Sequence, residues 1–261
     1  MAQPELDSGF IRAAAQGSLL RLTIDRADKR NALTRQMYND LTRAVEHAGT
    51  NDAIHAVLID SEGDMFCAGN DVAEFASATP DTRDAGSAGP ALTFIKALRA
   101  LDKPVVIAVQ GQATGIGLTM LLHADLVIAG ESARFYTAFI DLGLVPEAGS
   151  SLLLPGLIGR QNAARLLLTC DTLESDEALR MGLIAYRVAD AELADKATAL
   201  AEKLAAKPPQ AVQQTKQLLR EGIGSDDVDG QIEREAQRFG ERLFSDEVKA
   251  IMARFLNKKR A

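Results

Sequence analysis

One carboxylate in this chain stands in a setting that chemistry can use. Glu147 lies in GLVPEAGSS (143–151), with Leu144 and Val145 just before it and small residues after it. Apolar surroundings disfavour a carboxylate's charge and make it readier to take a proton, as a general base must. The same stretch also reads as a solvated turn, because Glu is mostly exposed and Pro and Gly mark loops. Composition by itself favours the turn. Two glycine-containing turns, MFCAGND (65–71) and GQATGIGL (111–118), offer the complementary function. Each follows a β-branched run and opens a helical pattern. Helix starts leave backbone N–H groups without partners, so two that converge bind a developing oxyanion. Tight turns for close packing are the other reading. Neither is a phosphate loop, since GQATGIGL lacks the Lys-Ser/Thr pair and the chain has no GxGxxG.

Other polar residues near these stretches have structural readings beside chemical ones. Asp71 follows the first turn and most simply caps a helix or bonds loop amides. Asn70 lines a pocket or holds the turn. Cys67, next to Phe66, reads as packing. His123, inside an apolar helix, reads as a satisfied core histidine rather than an acid.

These residues need a scaffold, and the periodicity supplies one. LLRLTID (19–25), AVLIDSE (56–62), PVVIAVQ (104–110) and DLVIAG (125–130) read as strands. Between them, TRQMYNDLTRAVEHAGT sets Met37, Leu41 and Val45 at helical spacing behind a Thr34 cap, and GPALTFIKALRALD repeats the device before Pro104. Strands alternating with helices predict an α/β fold with a largely parallel sheet and right-handed crossovers. From about residue 160 the pattern turns helical: RQNAARLLLTC, SDEALRMG, AELADKATALAEKLAAK, PQAVQQTKQLLREG and the final thirty or so residues. The expected organisation is a core over 1–190 and a helical region over 191–261. SATPDTRDAGSAGP (77–90) reads as a mobile surface loop.

Composition excludes several classes. The net charge of −7 argues against a general nucleic-acid surface, which needs cations against phosphates. A local basic patch closes the chain at NKKRA, where a frayed, solvated helix end is the alternative. No apolar run approaches the roughly 18 residues of a membrane span, and the start lacks a basic segment followed by an apolar one. A soluble cytoplasmic protein is expected. Two cysteines and three scattered histidines give neither metal-ligand spacing nor a disulfide framework. No metal site is expected.

Taken in order, DRADKRNAL, FCAGND, KPVVIAVQGQATGIGLTMLLHADLVIAGESARF, LGLVPEAGSS, AARLLLTC and EALRMGLI resemble the crotonase (enoyl-CoA hydratase/isomerase) superfamily, from about residue 18 to the C-terminus. The resemblance implies a spiral of ββα units with a C-terminal helical trimerisation region, and a homotrimer or hexamer. It also implies an acyl-CoA thioester substrate, with no cofactor beyond the CoA the substrate carries. Its oxyanion-hole amides fall, by motif position, on Ala68 and Ile116. Substrate contacts fall on Arg30, Ala32, Ala68, Gly69, Asn70, Asp71, Val72, Thr119 and Phe139. Phe255 and Lys258 of the last helix would reach the CoA of a neighbouring subunit.

Departures from the family pattern select the chemistry. Members that hydrate enoyl-CoA carry glutamates at the positions held here by Thr119 and Phe139. Asp141 lies two positions beyond the second and reads as a helix-start or surface residue. Glu147 remains, in a segment that resembles the Δ3,Δ2-enoyl-CoA isomerase branch, whose base sits in a Pro-Glu-Gly/Ala motif. Isomerisation needs one carboxylate, and Phe139, Leu144 and Val145 are expected to exclude water around it. The expectation is therefore an enoyl-CoA isomerase of the fatty-acid-oxidation type. Enoyl-CoA hydratase and a non-catalytic CoA-thioester-binding protein are the alternatives.

Overall fold

The computed structural model describes residues 4–71, 73–74 and 89–222, with positions 230, 234, 246, 248 and 250. All but two residues of the predicted loop at 77–90, and all of NKKRA, fall outside these. Two compact units result, Met1–Ala205 and Ala206–Ala261.

The first unit is built on a six-stranded sheet. Its strands are β1 (Ile11–Gln16), β2 (Leu19–Ile24), β3 (Ala56–Ser61), β4 (Val105–Val109), β6 (Leu126–Gly130) and β9 (Tyr186–Val188), side by side in that order. Only the β1–β2 hairpin is antiparallel; the other pairs run parallel. A smaller sheet joins β5 (Gln112–Thr114), β7 (Arg134–Tyr136) and β8 (Leu173–Glu174). β4 thus leads into β5, and β6 into β7, so successive strands step from the large sheet to the small one. Cys67, after β3, extends the same spiral by bridging Ala113.

The near-continuous apolar runs of the parallel strands follow from burial on both faces. Side chains alternate, so Leu20, Leu22, Val57, Ile59, Val105, Ile107 and Val109 enter the main core. Helix α1 (Arg35–Thr50) meets them with Met37, Leu41 and Val45, and α2 (Pro90–Ala100) with Phe94, Ile95 and Leu98. The Thr34 hydroxyl caps α1 by accepting the Met37 amide at 3.3 Å. Buried Lys103 closes its other end, donating to Ala48 O (2.5 Å) and Asn51 O (2.7 Å), where a cation also favours the helix dipole.

The intervening strand residues Leu19, Ala56, Leu58, Val106, Ala108 and Ile128 face α7 (Leu193–Ala205). That helix presents Leu193, Ala197, Ala201 and Ala205 at i, i+4 spacing, and the small alanines let it lie close on the sheet. The boundary expected at 190 precedes this helix, whereas the compact unit closes after it, at Ala205. Strand β9 likewise inserts in the region whose pattern reads as helical, because only three residues pair and they are too few to leave a period. Further helices among the described residues are α3 (Ile116–Thr119, continued as a 3-10 turn to His123), α4 (Ser150–Ile158), α5 (Arg160–Leu168) and α6 (Ser175–Met181). In the second unit, α8 spans Pro209–Gly222. No helix among the described residues is long and apolar enough to cross a membrane.

Candidate active site

Three segments carry the site. The first is the turn after β3. Cys67 pairs with β5 through its N–H to Gln112 O (3.1 Å) and its O from Thr114 N (2.8 Å). This lacing presses the first turn against the start of α3. A Cβ on Gly117 would lie 2.8 Å from both Cβ and O of Cys67, so only glycine fits between them.

Which amides of this turn are free is set by the loop 26–33. Arg30 and Asn31 both take left-handed backbone, with φ of 53° and 56°. Asn31 is buried and spans the loop, donating to Glu62 O (2.8 Å) and Met65 O (2.7 Å) while accepting Arg26 N (2.8 Å). Arg30 O is thereby turned onto Ala68 N, 3.0 Å away. The Ala68 amide expected in the oxyanion hole is therefore already committed to a backbone carbonyl. Gly69 N meets the Cys67 sulfur at 3.4 Å, and Gly69 O accepts Leu33 N at 2.8 Å. Asn70 N, next to it, has no acceptor among the described residues.

Arg30 and Ala32, both expected at the substrate, brace the turn through their carbonyls; Ala32 O accepts Arg26 Nη1 at 2.9 Å. Asp71 pairs with Arg26 at 2.7 Å and accepts the amides of Ala73 (3.0 Å) and Glu74 (3.2 Å), the capping role. Its carboxyl is held below the usual range, first by the Arg26 bond and then by these amides, with burial opposing. Cys67 is a packed thiol, pushed up to about 12 by burial against the Gly69 amide bond.

The second segment is the start of α3. Gly115 N is tied to Tyr136 O at 2.9 Å, and the amides of Leu118 and Thr119 fold back onto Gly115 O. Ile116 N, at the helix start, has no acceptor among the described residues. Thr119 follows one turn later and is fully buried.

The third segment carries Glu147. Its carbonyl accepts both the amide (3.0 Å) and the hydroxyl (2.7 Å) of Ser150. Ala148 next to it is left-handed, with φ of 55°, and its carbonyl accepts His123 Nε2 at 2.9 Å. The half-buried carboxyl accepts the Thr119 hydroxyl at 2.5 Å. Burial raises its pKa, and the Thr119 bond opposes this without cancelling it. Glu147 is therefore more than a solvated turn residue.

The source of that burial differs from the expectation. Phe139 is in the main core, but Leu144 and Val145 are 37% and 78% exposed and do not enclose the carboxyl in this chain. Their segment follows the 3-10 turn Ile140–Leu142 and faces outward. Asp141 is exposed and accepts the Tyr136 hydroxyl. Val72, Phe255 and Lys258 lie outside the described residues.

Two side chains at the site carry no chemical role in the sequence reading. Tyr38, on the buried stripe of α1, donates its hydroxyl to Asn70 Oδ1 at 2.5 Å and tilts against Phe94. Burial first, then the nearby Cys67, Glu147 and Glu74, hold the phenol well above its usual pKa, so it stays a donor. Its signal is a hydroxyl among Met37, Leu41 and Val45. The other is His123, whose signal is a lone polar ring in MLLHADL.

A ββα spiral with two unpartnered amides on adjoining turns, and one half-buried carboxylate bonded to the helix that carries the second, defines a protein of crotonase fold. Residues 14–261 match the enoyl-CoA hydratase/isomerase family, and the chain belongs to it. It is 32% identical over 259 residues to the 1,2-epoxyphenylacetyl-CoA isomerase of Escherichia coli (strain K12), covering 94% of this chain and 96% of that one. It is 32% identical over 216 residues to enoyl-CoA delta isomerase 2 of Rattus norvegicus, covering 82% of this chain and 55% of that one. Other relatives carry hydratase names. A solved structure of an enoyl-CoA hydratase/isomerase from Pseudoalteromonas atlantica T6c superposes with a TM-score of 0.77 at 39% identity, covering 95% of this chain and 97% of that one. The protein is an acyl-CoA enzyme of this family.

Proposed function

We propose that the enzyme moves the double bond of a 3-enoyl-CoA to the 2 position, with Glu147 as its one acid-base group. The supporting observation is that Glu147 is a half-buried carboxylate bonded to a threonine, Thr119, where hydrating relatives carry glutamate. Hydration must both activate a water and protonate a carbon, a task for two carboxylates, and Phe139 fills the second position with a buried ring.

In this mechanism the thioester oxygen binds the amides of Asn70 and Ile116. Glu147 takes a proton from C2, and the electron pair left behind spreads through C3 and C4 and onto the thioester oxygen as a dienolate. The two amides stabilise that charge as it forms. Glu147, now protonated, returns the same proton to C4, which leaves the double bond between C2 and C3. A carboxyl whose pKa is raised by burial suits the first step, since it is a stronger base than an ordinary glutamate.

Purified protein assayed on matched 3-enoyl-CoA and 2-enoyl-CoA substrates tests the reading. Turnover of the first without hydration of the second is expected. Hydration as the faster reaction supports the hydratase alternative, and binding without turnover supports a non-catalytic role.

A further inference from the structure

We propose that His123 is a positioning residue for Glu147, its Nε2–H holding the Ala148 carbonyl and so fixing the turn that aims the neighbouring carboxyl at Thr119. The inference deepens the proposed isomerase reading and rests on it.

Thr119 ends the short α-helical turn and His123 ends the 3-10 turn that continues it, and both reach the segment 147–148. Thr119 takes the carboxyl of Glu147 and His123 the carbonyl of the next residue, so the run grips the base segment at two points. Ser150 holds a third point between them, the Glu147 carbonyl. The grip has something to hold. Ala148 is in the left-handed region, where an L-residue with a Cβ is strained and a glycine is not. Released from His123, the peptide after Ala148 relaxes toward ordinary backbone and carries the glutamate side chain with it.

The hydrogen bond also fixes the ring. A carbonyl oxygen only accepts, so Nε2 carries the proton. Burial lowers the imidazole pKa, and the charge of Arg99 adds to this against the Ala148 bond. The ring is then neutral near pH 7, with its single proton on Nε2.

The test compares His123→Ala and His123→Gln in the full chain, the glutamine keeping an N–H donor near the place of Nε2. With 3-enoyl-CoA, His123→Ala is expected to lower kcat by about ten- to a hundredfold, with KM within about twofold, since misplacing a reacting group by an ångström has effects of this order. His123→Gln should recover most of that loss, which a merely structural role of the ring would not predict. A second arm needs no turnover: the 13C-labelled Glu147 carboxyl, assigned by its loss in Glu147→Gln, is titrated by NMR. It should titrate lower in His123→Ala, where it swings toward water, and as in the parent in His123→Gln. Should His123→Ala be recovered unfolded, His123→Asn takes its place in both arms, its amide being too short to span the bond. Parent-like kcat and titration in the variant lacking the bond, or a glutamine variant as impaired as the alanine one, overturns the proposal. If the parent itself does not turn over 3-enoyl-CoA, the isomerase reading fails and the titration arm alone decides the positioning role.

Discussion

The Thr119 hydroxyl donates to Glu147 Oε1 over 2.5 Å, from the helix that presents the Ile116 amide. The proposed base and the amide proposed for one half of the oxyanion hole are thereby referenced to the same turn of backbone. Thr119→Val removes the bond and keeps the shape. Since the bond holds the carboxyl pKa down against burial, its loss moves the acidic limb of the kcat/KM profile to higher pH. Turnover at neutral pH should fall roughly tenfold, the size of one hydrogen bond to a charged group. An acidic limb that stays put or moves down would show that the threonine does not tune the base.

Glu147→Gln keeps the side chain's size and its contact with Thr119 but cannot take a proton. We expect kcat for 3-enoyl-CoA to fall by about two to four orders of magnitude, the range for losing a general base. Thermal stability and acyl-CoA affinity should change little. Calorimetric binding alongside steady-state kinetics checks both, and a variant retaining most of its activity would remove Glu147 from the mechanism.

The choice of Asn70 over Ala68 as oxyanion donor can be tested atom by atom. Replacing either residue by its α-hydroxy acid turns one backbone N–H into an ester oxygen. At Asn70 this should lower kcat by about 10² to 10³, as loss of an oxyanion-hole donor does. At Ala68 it breaks the bond to Arg30 O and should lower stability by about 1 kcal/mol with a smaller effect on kcat. The reverse ranking of the two esters in kcat would restore Ala68 to the hole.

Asp40 links stability to pH. Fully buried on α1, it accepts the amides of Asp7 (3.0 Å) and Ser8 (2.8 Å) and pairs with Arg43. Burial pushes its carboxyl up, but the bonds from Ser8 and Asp7, with Arg43, outweigh this and hold it below the usual range. A depressed folded pKa gives stability that is present above the unfolded value of about 3.9 and is lost as pH falls through the folded one. Asp40→Asn should therefore be less stable by on the order of 1–3 kcal/mol at pH 7. The gap should narrow below about pH 4, measured by urea unfolding across pH. A gap that stays constant down to pH 3 would mean the charge contributes nothing.

Much of the fold is legible in the sequence because its signals are local. The runs at 19–25, 56–62, 104–110 and 125–130 become β2, β3, β4 and β6 within a residue or two of each end. The apolar stripe and Thr34 cap of α1 are also where the spacing puts them. Short strands were not legible: β5, β7 and β9 have three residues each and are held by partners rather than by pattern. The alanine-rich stripe of α7 reads as an appendage until the second face of the sheet is seen to need covering.

By itself the sequence determined the sheet-and-helix order, the two glycine turns, and Glu147 as the carboxylate left once Thr119 and Phe139 stood where hydrating relatives carry glutamate. Each is a matter of residue type and short-range spacing. Only the tertiary structure decided which amides of those turns are free, since the left-handed Arg30 and the buried Asn31 turn a distant carbonyl onto Ala68, while the Asn70 amide has no acceptor among the described residues. It also decided that Leu144 and Val145 face outward, and that Tyr38 and His123 belong to the site. The physical reason is one of range. Periodicity records which face of an element is buried, whereas a hydrogen bond between residues far apart in the chain leaves no period, and here such bonds hold the segment of Glu147.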